Sequence, residues 1–199
     1  MGEKLKFQPE LNKFPPNILK EIRRVKEFKD ARKTSIPRGE TIFNQHDIKY
    51  NLPPHMQPTY FDPSPLDHSG GHFETSPTKR SEIIYFPYLF PHTEEKMNLF
   101  ETEYFVNNLP KIPGVHWIVP EVAQLGRILT NHFKKTGEYI LELREATWTR
   151  DNFISRDGNV EYLTVSNLRQ YGISINGIED PLRRYLTIGV FVLGIPNKA

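Results

Sequence analysis

The chain has 199 residues, with 26 Lys and Arg against 24 Asp and Glu, seven His and no Cys. That length can bury a core without covalent or metal staples. The lack of thiols excludes disulfides, thiolate zinc sites, iron–sulfur clusters and a cysteine nucleophile, and a formal charge of +2 is too small to mark a nucleic-acid binder by itself.

The N-terminus, MGEKLKFQPE, has no apolar core of a secretory signal, and Lys6 stands where a myristoylation signal needs Ser or Thr. Residues 1–80 hold ten of the seventeen prolines. Proline fixes φ and lacks an N–H, so it interrupts helices and central strands. One helix is nevertheless expected there, over about 17–31. Asn17 follows Pro15 and Pro16 as an N-cap, and Ile18, Leu19, Ile22, Val25 and Phe28 recur at helical spacing. Lys20, Arg23, Arg24, Lys26, Lys29, Arg32 and Lys33 take much of the remaining circumference. Residues 1–40 carry eleven Lys and Arg against six Asp and Glu, an excess of five, so the rest of the chain is at −3 (2 − 5). Arg23 and Arg24 on this basic face can meet an acidic neighbour or a phosphate; a solvated face explains them equally.

Residues 34–80 read as a long irregular connection, punctuated by Leu52-Pro53-Pro54, Asp62-Pro63-Ser64-Pro65 and Ser69-Gly70-Gly71. The segment is not typical of a disordered tail, because Phe43, Tyr50, Leu52, Met56, Tyr60, Phe61, Leu66 and Phe73 are spaced along it like anchors. They are expected to bury on the chain's own body or on a partner, with Phe43, Tyr50, Tyr60, Phe61 and Phe73 as the main partner-binding residues.

From about Ser81 the pattern becomes periodic. Glu82 to Phe90 reads as a strand interrupted by Pro87, Phe100 to Val106 as a second and Val115 to Val119 as a third. A helix follows over about 120–135. Pro120 opens it, Val122, Leu125, Ile128, Leu129 and Phe133 share a face, Lys134 and Lys135 suit its C-terminal dipole, and Gly137 ends it. Glu138 to Trp148 alternates like a strand, Asp157-Gly158 reads as a hairpin turn into Val160 to Val165, and Asn176-Gly177 as a second such turn. Tyr185 to Ile195 is apolar on both faces and reads as one central strand. The expected fold is α+β: a mostly antiparallel sheet with one packed helix, in a compact domain of residues 81–199 preceded by an extended Pro-rich arm of residues 1–80.

No dinucleotide, P-loop, zincin or nucleophile-elbow motif occurs. The one polar constellation is His46, Asp47, His55, Asp62, Asp67, His68 and His72. Imidazoles with carboxylates can hold zinc, manganese or iron and activate a water, so His46, His55, Asp62, His68 and His72 are the candidate metal ligands; solvated loop histidines are the plainer account. Glu142, Arg144 and Glu145 read as a cross-strand ion-pair surface, and Asp180, Arg183 and Arg184 as a solvated loop. The run Tyr85-Phe86-Pro87-Tyr88-Leu89-Phe90, with Trp117 and Trp148, reads as core or interface packing rather than a base-stacking platform. No catalytic residue and no cofactor is assigned.

The sequence thus favours a structural or assembly subunit of the kind found in virions and phage necks or tails. It would bind other protein subunits, alike or different, through the N-terminal arm. Two alternatives stand beside it: a metal-dependent hydrolase or nuclease using the His/Asp set of 46–72, and a nucleic-acid-binding module using the basic helix of 18–33. No apolar run approaches the ~20 residues of a membrane helix, so a soluble protein, intracellular or virion-borne, is expected.

Overall fold

The computed structural model describes residues 31–39, 78–79, 81–90, 97–109, 111, 115–142, 145–155, 157–167, 173–183 and 188–196. They form a mixed α/β body of two helices and two four-stranded, mostly antiparallel sheets. In chain order the elements are β1 (Arg32–Ile36), β2 (Ser81–Tyr85), α1 (Leu99–Asn107), β3 (Val115–Ile118), α2 (Val122–Thr136), β4 (Ala146–Ile154), β5 (Val160–Asn167), β6 (Ile173–Ile178), β7 (Ile188–Gly189) and β8 (Leu193–Pro196). Sheet I runs β1-β2-β8-β3 and sheet II runs β6-β5-β4-β7; β4 and β7 pair in parallel, and the other ladders are antiparallel. Among the described residues no helix is long and apolar enough to cross a membrane.

Residues 188–196 connect the two sheets. The segment is apolar on both faces, as its sequence predicts, but it is not one strand. Ile188–Gly189 pairs with β4 at one end of sheet II, and Leu193–Pro196 lies between β2 and β3 in sheet I. The chain changes sheets at Val190 to Val192. Backbone groups stranded by the change need other partners, since a buried unpaired N–H is costly. Val190 and Phe90 exchange both backbone hydrogen bonds. The Phe191 N–H donates to Thr147 Oγ1 at 2.9 Å.

Alternation along this segment then divides the interior. Phe191 and Leu193 point into a cluster formed with Ile36, Ile83, Phe153, Leu163, Val165, Ile175 and the apolar face of α2. Val190 and Val192 point the opposite way, among Phe86, Phe90, Met97, Phe105, Val106, Leu109, Trp117 and Val119. Leu99, Ala146, Trp148 and Ile188 make a third cluster. Helix α2 therefore covers one face and α1 contributes to the clusters on the other.

Helix α1 replaces the strand expected over Phe100 to Val106. Its start is a capping box. Glu101 N–H donates to Asn98 Oδ1 at 2.9 Å, and Asn98 N–H donates to Glu101 Oε2 at 3.0 Å. The Asn-x-x-Glu spacing carries that signal, but the β-branched and aromatic content of the segment argues for strand. Burial of Leu99, Thr102, Phe105 and Val106 follows the helical repeat. Helix α2 begins at Val122 with Glu121 as its N-cap, so Pro120 lies just outside it; Gly137, at φ 72°, ends it as expected.

Three other expectations change. The strand expected over Glu138 to Trp148 lies later, over Ala146–Ile154: Ile140 and Leu141 are neighbours yet both buried, which a strand facing a single core cannot achieve. Of the ion-pair surface expected there, Arg144 lies outside the described residues, while Glu142 N–H donates to Glu145 Oε2 and Glu145 N–H to Glu142 O. Asn176-Gly177 is not a turn but the middle of β6, paired with Thr164 and Leu163. Gly177 serves a close approach, since a Cβ there would collide with the Glu161 and Phe153 side chains. Thr34 to Ile36, expected to be irregular, belong to a strand, and Ile36 is fully buried in the core.

Two stability outcomes follow from this packing. Leu125 is fully buried in the α2 cluster, so Leu125→Ala should cost ~2–5 kcal/mol in chemical denaturation. Val190 is fully buried where the chain changes sheets, so Val190→Asp should leave no cooperative melting transition.

Candidate functional site

Of the residues singled out in the sequence, the expected basic helix of 17–31 with Arg23 and Arg24 lies outside the described residues, apart from Ala31. So do the anchors Phe43, Tyr50, Tyr60, Phe61 and Phe73, and the candidate ligands His46, His55, Asp62, His68 and His72. Among the described residues no group of three or more His, Asp or Glu is gathered as metal ligands would be. The aromatic run is core: Phe86 packs on Trp117 with ring centroids 5.9 Å apart, and Phe90 on Phe105 at 5.9 Å. Trp148 is fully buried, and its Nε1–H donates to Met97 O at 3.1 Å. Asp180 shapes its loop by accepting the Leu182 N–H at 3.0 Å.

Among the described residues, two polar arrangements flank α2. The first lies between α2 and sheet I. Arg32 pairs directly with Tyr85 and Thr34 with Ile83 in the β1–β2 ladder. Cross-strand partners share a face, so Arg32, Thr34 and Ile36 look the same way as Ile83 and Tyr85. Helix α2 packs on that face. His132 Nδ1 lies 3.0 Å from Tyr85 Oη, both residues being only 2% exposed. Their rings meet edge to face at 5.8 Å, and Phe191 stacks on Tyr85 at 6.3 Å. One residue earlier, Asn131 Nδ2 donates to Thr34 Oγ1 at 3.2 Å.

Burial holds His132 below the ordinary imidazole value, Arg32 acts in the same direction, and Glu138 opposes them. Burial raises the Tyr85 phenol, with Arg32 opposing. Both partners are therefore neutral near pH 7, and one O–H or N–H is shared between Oη and Nδ1. The α2 stripe contained the signal for His132, which stands seven residues after Leu125 and so falls on the buried face.

The second arrangement is at the start of α2. Between the pairs Trp148–Thr164 and Asn152–Tyr162, Thr149, Arg150 and Asp151 of β4 oppose Leu163 alone. This bulge turns β4 toward the helix. Arg150 N–H donates to Pro120 O at 3.0 Å, and Val122 N–H donates to Asp151 Oδ2 at 2.6 Å. Arg150 also forms an ion pair with Glu121, the N-cap residue. Asp151 thus caps a helix 29 residues away in sequence. Burial raises its carboxyl; the Val122 N–H lowers it, Glu121 raises it and Arg150 lowers it. No periodicity marks this capping contact, because it depends on the bulge.

The Asp151 shift has a definite sign. Its folded value lies above the unfolded value of 3.8, so folding disfavours the charged form. That penalty is absent at low pH, grows as pH rises above about 3.8, and is complete above the raised folded value. Asp151→Asn keeps an acceptor for the Val122 N–H and loses the charge. Its stability relative to the parent should therefore increase from pH 3 to pH 7 in denaturant titrations. Asp151→Ala loses the cap as well and should cost ~0.5–2 kcal/mol at the acid end.

Comparisons with protein-family models, with curated proteins and with solved structures return no match for this chain.

Proposed function

We propose that the chain is an assembly subunit, which binds neighbouring protein subunits through segments that leave one edge of sheet I. One observation carries this reading. Beyond the β1–β2 ladder, Gly39 N–H donates to Thr78 O at 2.8 Å, and Thr78 Oγ1 donates to Pro37 O at 2.7 Å, across 41 residues of sequence. Residues 40–77 therefore depart from and return to a single closed point on an ordinary antiparallel pair. A tight turn would suffice to join those strands. Insertions of this length in a compact domain are uncommon and usually functional, and the closed stem spares the body from depending on them.

The inserted stretch holds Phe43, Tyr50, Tyr60, Phe61 and Phe73, the residue types that dominate protein interfaces. The basic segment with Arg23 and Arg24 precedes β1 and so joins the body at the same edge strand. The two flank one strand and can act on one neighbour, with aromatic anchors providing affinity and the basic face meeting acidic groups.

The test keeps β1 in place. A variant joining Gly39 to Thr78 through Asn-Gly, without residues 40–77, should melt cooperatively as the full chain does. In sedimentation velocity across a range of concentrations the full chain should associate and the shortened chain should not. Tyr60→Ala and Phe61→Ala should weaken association more than Lys29→Ala. A full chain that stays monomeric throughout overturns self-assembly. Stoichiometric zinc or manganese in the full chain, lost together with residues 40–77, would instead make the inserted stretch a metal site.

A further inference from the structure

We propose that His132 is an acid-sensitive latch: its protonation releases β1, the strand to which the flanking chain segments attach, from helix α2. The inference is independent of what those segments bind.

Strand β1 lies at the end of sheet I, held on one side by β2. Among the described residues it is also tied to α2 through Asn131, which reaches Thr34 and Ser35, and it is packed through Ile36 in the cluster that α2 covers. His132 occupies this same junction. Tyr85 from β2 faces it, Arg32 from β1 stands opposite Tyr85 in the ladder, and Glu138 follows the end of α2; both charged groups act on the imidazole. Asn131 and Thr34 beside it carry no charge, and Phe191 from β8 closes the far side of Tyr85.

A neutral imidazole fits there. It shares one proton with Tyr85 Oη and needs no counter-charge. An imidazolium does not fit, because it would be a buried cation with the Arg32 guanidinium on the adjacent strand. Among the described residues Glu138 is the opposing carboxylate that acts on it, and its effect ranks below both burial and Arg32. The conflict is relieved most directly by moving β1, which carries the second cation and, among the described residues, has a neighbouring strand on one side only. Strands β4 and β5, in sheet II, do not carry Arg32 and have no such conflict.

Linkage gives the sign and the window. The folded imidazole binds its proton less readily than an open one, whose ordinary value is 6.5. Opening therefore takes up a proton as pH falls below 6.5 and becomes more favourable, by up to about tenfold per pH unit. Above that value the latch stays closed. Below the lowered folded value both states are protonated and the effect levels off.

Hydrogen exchange on the full chain from pH 8 to pH 5 tests this. Opening constants for the β1 amides are divided by those for β5 at each pH, after correction for intrinsic exchange. The ratio should be flat above pH 7 and rise as pH falls from 6.5. In His132→Gln, which can still hydrogen-bond Tyr85 but cannot titrate, it should stay flat. In Tyr85→Phe, which keeps the imidazole buried, the rise should persist. In Arg32→Gln the total rise should shrink, because one source of the conflict is gone. A flat ratio in the parent overturns the proposal, and so does a rise retained in His132→Gln. Should that variant fail to fold at pH 8, Arg32→Gln decides: an undiminished rise there overturns the proposal.

Discussion

Everything in this body depends on a short segment that must be apolar on both sides. Between Ile188 and Leu193 the chain leaves one sheet and enters the other, with Val190 to Leu193 fully buried. Phe191 and Leu193 fill the space under α2, while Val190 and Val192 fill the opposite cluster. Neither interior can be repacked alone, because the residues that fill them alternate along one backbone. Thr147 is the polar counterpart of this arrangement. Its hydroxyl accepts the Phe191 N–H where no strand is placed to do so. A buried N–H left unpaired at that point would cost more than a typical hydrogen bond contributes.

Around this centre, contacts distant in sequence set the geometry. The bulge in β4 carries Asp151 to the first turn of α2. Trp148, nearby on the same strand, holds the Met97 carbonyl at the entrance to α1. One strand thus orients the starts of both helices. On the other side of α2, Asn131 and His132 tie the helix to β1 and β2. Helix α2 is fixed at its start by a carboxylate and near its end by an imidazole. The two groups respond to pH in different ranges. The Asp151 carboxylate becomes a burden as pH rises through the acid range, and the imidazole becomes one as pH falls below 6.5.

The hairpin of β1 and β2 has a further consequence. Its stem closes at Gly39 and Thr78, so an intervening stretch of any length attaches at a single point. The entropic cost of closing so long a connection rises only slowly with its length. Ladder hydrogen bonds and the burial of Ile36 and Ile83 offset it. A sheet edge built in this way can carry a long inserted stretch without change to the core.

Some of this was determined by the sequence itself. The stripe from Val122 to Leu129, the basic last turn and Gly137 specify α2, because a helix of that amphipathicity has one face to bury. The Asp157-Gly158 turn between β4 and β5 and the two-sided apolar character of residues 188–195 are equally local properties. So is the largely antiparallel pairing, which follows from several strands separated by few helices, although the strands divide into two sheets where the sequence suggested one. Tertiary structure alone decided the rest. Phe100 to Val106 has strand composition but is a helix, because its capping box and its docking on Trp117 and Val190 outweigh intrinsic preference. Gly177 resembles a turn residue but lies within a strand, because Glu161 and Phe153 leave no room for a side chain. Arg32 to Ile36 read as the end of a basic helix and the start of a coil, yet they complete a sheet. Their partner strand lies beyond residue 80, and no local pattern encodes a ladder between such distant segments. The pairing of His132 with Tyr85 has the same origin: periodicity can place an imidazole on a buried face, but only the packed chain supplies the hydroxyl it meets and the guanidinium that adds to burial in lowering its proton affinity.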